Sequence, residues 1–410
     1  MKYISHYLHK PVRYKKDRQG TVKDWVMQAT PSQAVLAGLL VEDQDGRQRH
    51  VAMSDIESLG LKYIYLKQPL AACVDLPVTD QNVFLVEHVL DKQVVDTKRK
   101  KVYRVNDIEV QEDKGQFVVR WVDTGLAGLL QRMGVTVELP EKLGRLNRRI
   151  AWADIEPLDP DLKSTFQKLA KLHPADLADI IEELGVSKGA DLLERLDDET
   201  AAEALTEVDP AMQSDIMEEI KPQDAADIIE EMEPDDAADL ISDLPQDTAR
   251  EIMAEMEKEE RQEVKELLKY PEDAAGGIMN TEYMSVAKSL TAEQVLNKFR
   301  IQKPEPEVAY NIVVLDEQNR LAGLLSLRDL VVAEPGAKVE SIMMADLPSV
   351  QADASLEEVA DLMHKYDLMA LPVVAPGLAV LGVITVDDVI ELVVPEKWKR
   401  SHRKHFPFSF

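Results

Sequence analysis

The stretch KPQDAADIIEEMEPDDAADLISDL, residues 221–244, consists of two consecutive copies of a twelve-residue unit that recurs without a gap over residues 173–268. In the first copy Ala225, Ile228 and Ile229 are spaced at i, i+3 and i+4, which is the pattern of one face of an α-helix. A proline recurs near the start of most units, so each helix must end before the next begins. The repeat therefore predicts a stack of short amphipathic helices and not one long helix.

The same segment carries most of the charge of the chain. Residues 173–260 contain 30 Asp and Glu against 5 Lys and Arg, and the whole chain of 410 residues has a formal net charge of −28. Such a surface is unfavourable for nucleic acid, whose phosphates attract basic side chains. A divalent cation would relieve the repulsion among the carboxylates. The alternative is that most of them form a solvated polar face, partly stabilised near helix N-termini.

The length of the chain predicts about two to four domains, and the cysteine content and the N-terminal sequence predict a cytoplasmic protein. Cys73 is the single cysteine, which excludes an internal disulfide framework and suits a reducing compartment. Residues 1–20 lack the apolar core of an export signal. Residues 370–386 lie within the longest charge-free run of the chain, but Pro372 and Gly377 interrupt it. That run predicts two buried strands with a turn between them and not a transmembrane helix.

Residues 1–158 are predicted to be rich in β-strands, because short apolar runs alternate there with turn residues. Three segments carry the tag Asp-Ile-Glu, which begins at Asp55, Asp107 and Asp154. This repetition predicts either small barrels or one barrel with a duplicated plan. Residues 85–122 resemble the PRC-barrel family, and the resemblance implies a small β-domain that docks onto a protein partner.

Residues 271–340 and 341–395 are predicted to be two copies of one α/β unit, each with a helix, a strand, a turn, a strand and a second helix. Their last strands end in the same way, as GLLSLRD at residues 323–329 and GVITVDD at residues 382–388. Two such endings in register, about 59 residues apart, resemble the CBS-domain pair. The resemblance also implies a homodimer, since CBS pairs usually associate face to face.

The CBS resemblance implies a site for an adenine nucleotide at these strand ends. The residues that match the hydroxyl and carboxylate positions of the family are Ser326, Asp329, Thr385 and Asp388. A helix N-terminus offers amide N–H groups to phosphate, and a carboxylate accepts hydrogen bonds from ribose hydroxyls. The alternative is that the serine and the threonine cap the helices that follow them, while the aspartates complement the helix dipoles.

The acidic helical units, the junction AAGGIM at residues 274–279 and the two α/β units together resemble the cytosolic region of MgtE-type magnesium transporters over residues 160–394. The resemblance implies a magnesium sensor, in which cations bridge carboxylates of the helical domain and of the CBS pair. The carboxylates that match the family's motifs are Glu203, Asp235, Asp239, Glu357, Asp367, Asp388 and Glu391. Magnesium prefers hard oxygen ligands and retains water, so one or two carboxylates per ion suffice. Asp388 serves both the cation hypothesis and the nucleotide hypothesis.

Several positions depart from the family's pattern. Ser355, two positions before Glu357, and Pro271 stand where family members often carry a carboxylate, so we expect weaker cation affinity or the loss of some sites. The transporters continue into a membrane domain, whereas this chain continues with a tail, residues 396–410, that is rich in basic and aromatic residues. We therefore expect no ion transport by this chain alone. The tail is expected to lie on an anionic membrane surface, to dock a protein partner, to fold back on the acidic helices, or to stay solvated.

The whole sequence predicts a multi-domain α+β fold. Its parts are a β-barrel-like domain at residues 1–158, a central right-handed α-helical superhelix at 159–270, a C-terminal α/β CBS-domain pair at 271–340 and 341–395, and the tail at 396–410. No histidine spacing typical of a metal site, no nucleophile elbow and no phosphate loop is present in the sequence, which argues against an enzyme. We expect a regulatory protein that senses magnesium. The alternatives are an adenine-nucleotide-binding regulatory module and a protein-docking scaffold without a small ligand.

Overall fold

The computed structural model describes residues 2–29, 34–60, 62–77, 79, 82–125, 129, 132, 148–158, 168–304 and 306–393, with the backbone alone at residues 306, 307 and 391. The basic and aromatic tail lies outside the described residues. The chain divides into two compact units, Met1–Lys188 and Gly189–Phe410.

The first unit is built mainly from β-strands. Its strands are β1 (Lys2–Tyr3), β2 (Pro11–Tyr14), β3 (Asp17–Ala29), β4 (Ala34–Asp43), β5 (Gln48–Ala52), β6 (Ile56–Leu59), β7 (Ile64–Leu66), β8 (Asn82–Phe84), β9 (Gln93–Asp96), β10 (Lys101–Arg104), β11 (Asp107–Asp113), β12 (Gln116–Asp123), β13 (Arg149–Ala151) and β14 (Ile155–Pro157). Its described helices are α1 (Leu85–His88) and α2 (Pro174–Leu184), with 3-10 turns at Ile4–Tyr7, Met53–Asp55, Leu70–Ala72, Trp152–Asp154 and Leu169–Lys171. The larger sheet runs in the order β1-β11-β12-β4-β3-β2-β7-β6, with β13, β5 and β8 attached to β12, β4 and β3, and β10-β9-β14 form a small second sheet.

A repeated β–turn–β arrangement underlies the repeated Asp-Ile-Glu tag. Strand β4 pairs with β5, which leads through a 3-10 turn into β6, and β12 pairs with β13, which leads through a 3-10 turn into β14. Leu39 lies opposite Val51 in the first pair, as Val122 lies opposite Ile150 in the second. All four side chains are buried, so the two arrangements contribute equivalent positions to one apolar core.

Helix α1 forms where the sequence pattern predicts further strand. The carboxylate of Asp24, on β3, accepts hydrogen bonds from the backbone N–H groups of Val86 (2.8 Å) and Glu87 (3.0 Å). These contacts satisfy donors that a first helical turn leaves free. Burial of the carboxylate raises the pKa of Asp24 to about 6. The strand-rich pattern of residues 1–158 does not reveal this helix, because the group that stabilises it comes from a residue 62 positions away in the sequence.

Helix α2, the first of the acidic helical units, packs against β10 within the first unit. Glu183 accepts a hydrogen bond from the backbone N–H of Val102 at 2.9 Å, and Asp176 forms an ion pair with Lys100. Strand β10 lies at the edge of its sheet, so the Glu183 carboxylate satisfies a donor that no neighbouring strand takes.

The second unit contains most of a stack of short helices, which we call the helical array, and the boundary between the two units lies within its first helix. Its helices are α3 (Val186–Leu193), α4 (Asp198–Thr206), α5 (Pro210–Glu219), α6 (Pro222–Glu230), α7 (Pro234–Asp243), α8 (Gln246–Glu255) and α9 (Lys258–Leu267). From α4 onward each helix packs against the helix two places along, α4 on α6, α5 on α7, α6 on α8 and α7 on α9. The periodic apolar residues Ala225, Ile228 and Ile229 are buried, which confirms the predicted stack of amphipathic helices.

Two α/β repeats follow the array. The first repeat contains β15 (Ser285–Ala287), α10 (Ala292–Gln302), α11 (Pro306–Ala309), β16 (Asn311–Leu315), β17 (Leu321–Ser326), α12 (Leu327–Val332) and α13 (Val339–Ile342). The second repeat contains β18 (Val350–Gln351), α14 (Leu356–Tyr366), β19 (Ala370–Val374), β20 (Val380–Thr385) and α15 (Val386–Val393). In each repeat the first strand is parallel to the second and the second is antiparallel to the third.

The two repeats exchange backbone segments. Asn280, which leads into the first repeat, pairs with Val383 on β20, and Met344, which leads into the second repeat, pairs with Leu324 on β17. The glycines of the two strand-end motifs permit this approach. A Cβ atom at Gly323 would lie 2.4 Å from the carbonyl oxygen of Met344, and one at Gly382 would lie 2.8 Å from that of Asn280.

The predicted α+β class is confirmed, with a strand-rich region, a helical region and an α/β pair in that order. Throughout the part of the chain that the structure describes, the helices lack the combination of length and apolar character that crossing a bilayer requires.

Candidate functional site

The candidate site lies at the N-terminus of α7, where the sequence Glu233-Pro-Asp-Asp places three acidic residues at a helix start. Glu233 is the extended residue before the helix, Pro234 takes the first helical position, and Asp235 and Asp236 follow in the first turn. Carboxylates near a helix N-terminus interact favourably with the helix dipole, which explains why this local sequence folds as it does.

Asp235 is buried by tertiary packing. Asp235 is only 7% exposed. Gln223, which occupies the same position in the preceding twelve-residue unit, is exposed. The repeat alone therefore does not bury this position. The charge of Asp388, on α15 of the second repeat, contributes to the raised pKa of Asp235. Asp235 is thus placed where the helical array meets the second repeat.

The electrostatic environment of Asp235 is unfavourable to its charge. Burial, followed by the negative charges of Asp236, Asp388 and Glu233, raises the pKa of Asp235 well above its ordinary value. Among the described residues, its Oδ1 atom has no hydrogen-bond partner. An ionised carboxylate that is buried beside other carboxylates costs free energy unless a cation or a proton compensates it.

Asn280 connects the start of α7 to the second repeat. Its side-chain amide donates a hydrogen bond to Glu233, and its Oδ1 accepts from the backbone N–H of Glu282 at 2.7 Å. Its backbone exchanges two hydrogen bonds of 2.9 Å with Val383 on β20. Residue 280 is itself buried, so this link connects Glu233 to β20 through the interior of the second unit.

Asp388 stands at the first turn of α15. Its Oδ2 atom accepts hydrogen bonds from the backbone N–H of Thr385 at 2.9 Å and from the Thr385 hydroxyl at 2.7 Å. The corresponding pair in the first repeat is arranged differently. There the Ser326 hydroxyl accepts from the backbone N–H of Asp329 at 3.0 Å and donates to its carboxylate at 2.8 Å. Each strand-end pair therefore stabilises the helix that follows it.

The two strand-end pairs differ in accessibility. Thr385 is buried and Asp388 is half-buried, whereas Ser326 is half-buried and Asp329 is exposed. Both pairs remain candidates for a nucleotide, and the pair of the first repeat is the more open to solvent.

The other carboxylates predicted from the family resemblance are dispersed. Four of them are exposed: Glu203 on α4, Asp239 on α7, Glu357 on α14 and Asp367 at the end of α14. The side chain of the fifth, Glu391, lies outside the described residues. Within the described ranges, no three His, Cys, Asp or Glu side chains are gathered as a preformed metal site. The structure therefore brings Asp235 and Asp388 into one neighbourhood, and it does not assemble all the predicted ligands at one point.

The sequence-based prediction did not include Glu233, Asp236 and Asn280. One sequence signal points to the two acids: among the units with proline in the first helical position, only this one has acidic residues directly before and directly after the proline. No comparable signal marks Asn280, because its role arises from pairing with a strand that lies about 100 residues further along.

Comparison with known proteins assigns the two parts of this region. The MgtE intracellular N domain matches residues 172–273, and the CBS domain matches residues 275–336 and 339–395. The magnesium transporter MgtE of Thermus thermophilus is 44% identical over 141 residues, which cover 34% of this chain and 31% of the transporter. The MgtE of Enterococcus faecalis is 35% identical over 134 residues. The chain thus spans about a third of the length of these curated relatives.

Two solved structures share the fold of this region. The crystal structure of the cytosolic domain of the Mg²⁺ channel MgtE in complex with ATP has a TM-score of 0.53 and 36% sequence identity, and the match covers 57% of this chain and 94% of that chain. The crystal structure of the soluble part of a magnesium transporter has the same TM-score and 29% identity, with 56% and 90% covered.

Proposed function

Because residues 172–273 belong to the MgtE intracellular N domain family and residues 275–336 and 339–395 belong to the CBS domain family, we propose that this chain is a cytoplasmic regulatory protein that senses Mg²⁺. Carboxylates of the helical array and of the second repeat hold the cation in this proposal. The residues concerned act by binding and not by catalysis or transport.

The observation that carries the proposal is the state of Asp235. This carboxylate is buried beside Asp236, Asp388 and Glu233, and burial and these charges raise its pKa. Its Oδ1 atom has no hydrogen-bond partner among the described residues. A divalent cation would supply both the missing contact and the missing positive charge.

The donor set fits magnesium. Carboxylate oxygens are hard ligands, and Mg²⁺ commonly keeps several waters while binding to only one or two carboxylates. Asp235 and Asp388 lie on different structural elements, so a cation held by both would favour the arrangement in which α7 and α15 are close together. The response can be only as large as the difference in cation affinity between the closed and open arrangements.

The test is a magnesium titration of the full chain followed by small-angle X-ray scattering, with a KCl titration matched for ionic strength. We expect a saturable decrease in the radius of gyration with MgCl₂ that is absent with KCl. An equal decrease in both salts would indicate charge screening by ions in general and would reject a specific cation site. The Asp235→Asn variant should lose the specific part of the decrease.

Adenine-nucleotide binding is a second proposed function. It is supported by the strand-end hydroxyl and carboxylate pairs, Ser326 with Asp329 and Thr385 with Asp388, and by the ATP in the related solved structure. Calorimetric titration with ATP and AMP in EDTA tests it. Thr385→Ala should weaken binding and Asp235→Asn should not, and no heat of binding for the wild-type chain would reject the proposal.

We also propose a homodimer through the two repeats. Helices α12 and α15 each carry apolar side chains that are more than half exposed, namely Val331, Val332, Ile390 and Val393. Exposed apolar side chains grouped on surface helices are typical of a protein interface. Because α12 and α15 occupy equivalent positions in the two repeats, each repeat presents one apolar patch, and a single partner copy can cover both. The strand-rich first unit remains available for docking a different protein, as the PRC-barrel resemblance predicts.

A further inference from the structure

A cleft opens on the second unit beside the candidate cation site. It has a volume of about 460 Å³ and is bounded by α7, the C-terminal end of α9 and the junction that leads to the first repeat. The lining residues that matter for its chemistry are Asp239, Ser242, Leu268, Tyr270, Glu272 and Asp273. A cleft of this size accommodates one aromatic side chain together with a neighbouring polar or charged one.

The cleft is lined by acidic and by apolar side chains. Each charged side chain among its described lining residues is acidic, and Ser242 donates a hydrogen bond to Glu272 at 2.8 Å. Burial, followed by the charge of Glu272, raises the pKa of Asp243 at the C-terminal end of α7. Leu268, an apolar residue of the lining, is 38% exposed. This lining is complementary to a ligand with cationic and aromatic groups.

We propose that this cleft binds the basic and aromatic tail of the same chain, residues 396–410. The tail contains Trp398 and three phenylalanines, with basic side chains at Lys397, Lys399 and Arg400 around the tryptophan. The aromatic ring packs against the apolar lining residues, and the flanking cations meet the lining carboxylates. The tail thereby acts as an internal ligand of the helical array.

The tail follows the end of α15, and the start of that helix lies near α7, which lines the cleft. Trp398 follows Val393, the last described residue of α15, by five positions, which span up to about 17 Å when extended. Val393 lies five residues beyond Asp388, about 7.5 Å along α15, and the charge of Asp388 acts on Asp235. Asp239 lies one helical turn beyond Asp235 on α7, a separation of about 6 Å.

The fluorescence of Trp398 in the full chain tests the proposal, and subtracting the spectrum of the Trp398→Phe variant isolates it from the other three tryptophans. The measurement is made in EDTA, so its outcome does not depend on the magnesium proposal. We expect emission at short wavelength and protection from acrylamide quenching. The variant D239N/E272Q/D273N should lose both, whereas E251Q/E255Q/E263Q, which removes three exposed charges of the array that are not lining residues of the cleft, should keep them.

A tail variant, K397Q/K399Q/R400Q, guards against a folding defect in the cleft variant, because these substitutions leave the described part of the chain unaltered. It should also lose the protection of Trp398. Full quenching of Trp398 in the wild-type chain would overturn the proposal. The proposal would also fail if the protection of Trp398 survived in both variants or required vesicles of anionic lipid. Protection that increased with protein concentration would place the tail in the cleft of a second copy and would likewise contradict the proposal.

Discussion

Replacing Asp235 by Asn should stabilise the second unit in the absence of divalent cations and remove its response to magnesium. The substitution keeps the size of the side chain and removes the charge from a position that is 7% exposed. In the wild-type chain this charge lies beside Asp236, Asp388 and Glu233. The new amide can also donate a hydrogen bond to a neighbouring carboxylate, which the Asp235 carboxylate cannot do when ionised.

The size of the effect follows from the desolvation of one unpaired group. Leaving a buried polar or charged group unsatisfied costs about 1–3 kcal/mol, so the variant should gain a free energy of unfolding of about that size in EDTA. For a unit of this length, each kcal/mol corresponds to a rise in Tm of about 2–4 °C. Magnesium at a hundredfold excess over its Kd should stabilise the wild-type chain by about 2.7 kcal/mol and the variant by much less.

Thermal unfolding by circular dichroism, in EDTA and in saturating MgCl₂ at matched ionic strength, measures both effects. The control is Asp247→Asn on α8, whose side chain is 93% exposed and pairs with Arg250 at 3.2 Å. This variant should behave like the wild-type chain in both buffers, because exposed ion pairs contribute little. A lower Tm of Asp235→Asn than of the wild type in EDTA would refute the reasoning, and so would an equal rise in Tm for both chains on adding magnesium.

Three further substitutions test the fold and the assembly. Ile390→Asp should dissociate the homodimer in analytical ultracentrifugation, because Ile390 is exposed on α15. Asp387→Asn, which changes an exposed residue of the same helix, should leave the dimer intact. A wild-type chain that is monomeric at micromolar concentration would contradict the proposed interface. Gly382→Ala should destabilise the second unit by about 1–3 kcal/mol in urea unfolding, because the new Cβ would lie 2.8 Å from the Asn280 carbonyl oxygen, and an unchanged midpoint would contradict the close approach. The pKa of Asp24 is raised to about 6 in the folded chain, so the folded state binds more protons than the unfolded state between pH 4 and 6. The contribution of this carboxylate to stability therefore decreases as pH rises through that interval. Asp24→Asn should remove this part of the pH dependence in urea unfolding measured at several pH values, and an unchanged profile would refute the assignment.

Much of the second unit could be predicted because its patterns are local. The spacing of Ala225, Ile228 and Ile229 predicted their burial, and the structure confirms it. The strand-end motifs predicted two equivalent α/β repeats, and the sheets confirm this duplication. The short strands β15 and β18 were not predicted, since segments of two or three residues carry too little periodicity to identify.

The candidate site was less predictable than the fold. The family resemblance selected Asp235 and Asp388, and the structure brings these two into one neighbourhood. It also selected Glu203 and Glu357, which lie exposed on other helices. A motif identifies a residue by its neighbours in the sequence, whereas the electrostatic environment of a carboxylate depends on residues that are distant in the sequence.

The sequence by itself determined the period of the helical array, its acidity, the order of the domains and the presence of two similar α/β units, because these depend on the spacing and type of neighbouring residues. Only the tertiary structure decided that Asp235 is buried while Gln223, at the same position of the repeat, is exposed. It likewise decided that residues 85–88 form a helix, because Asp24 on a distant strand supplies the capping carboxylate. Burial and capping both depend on which surfaces the folded chain brings together, and a one-dimensional pattern does not contain that information.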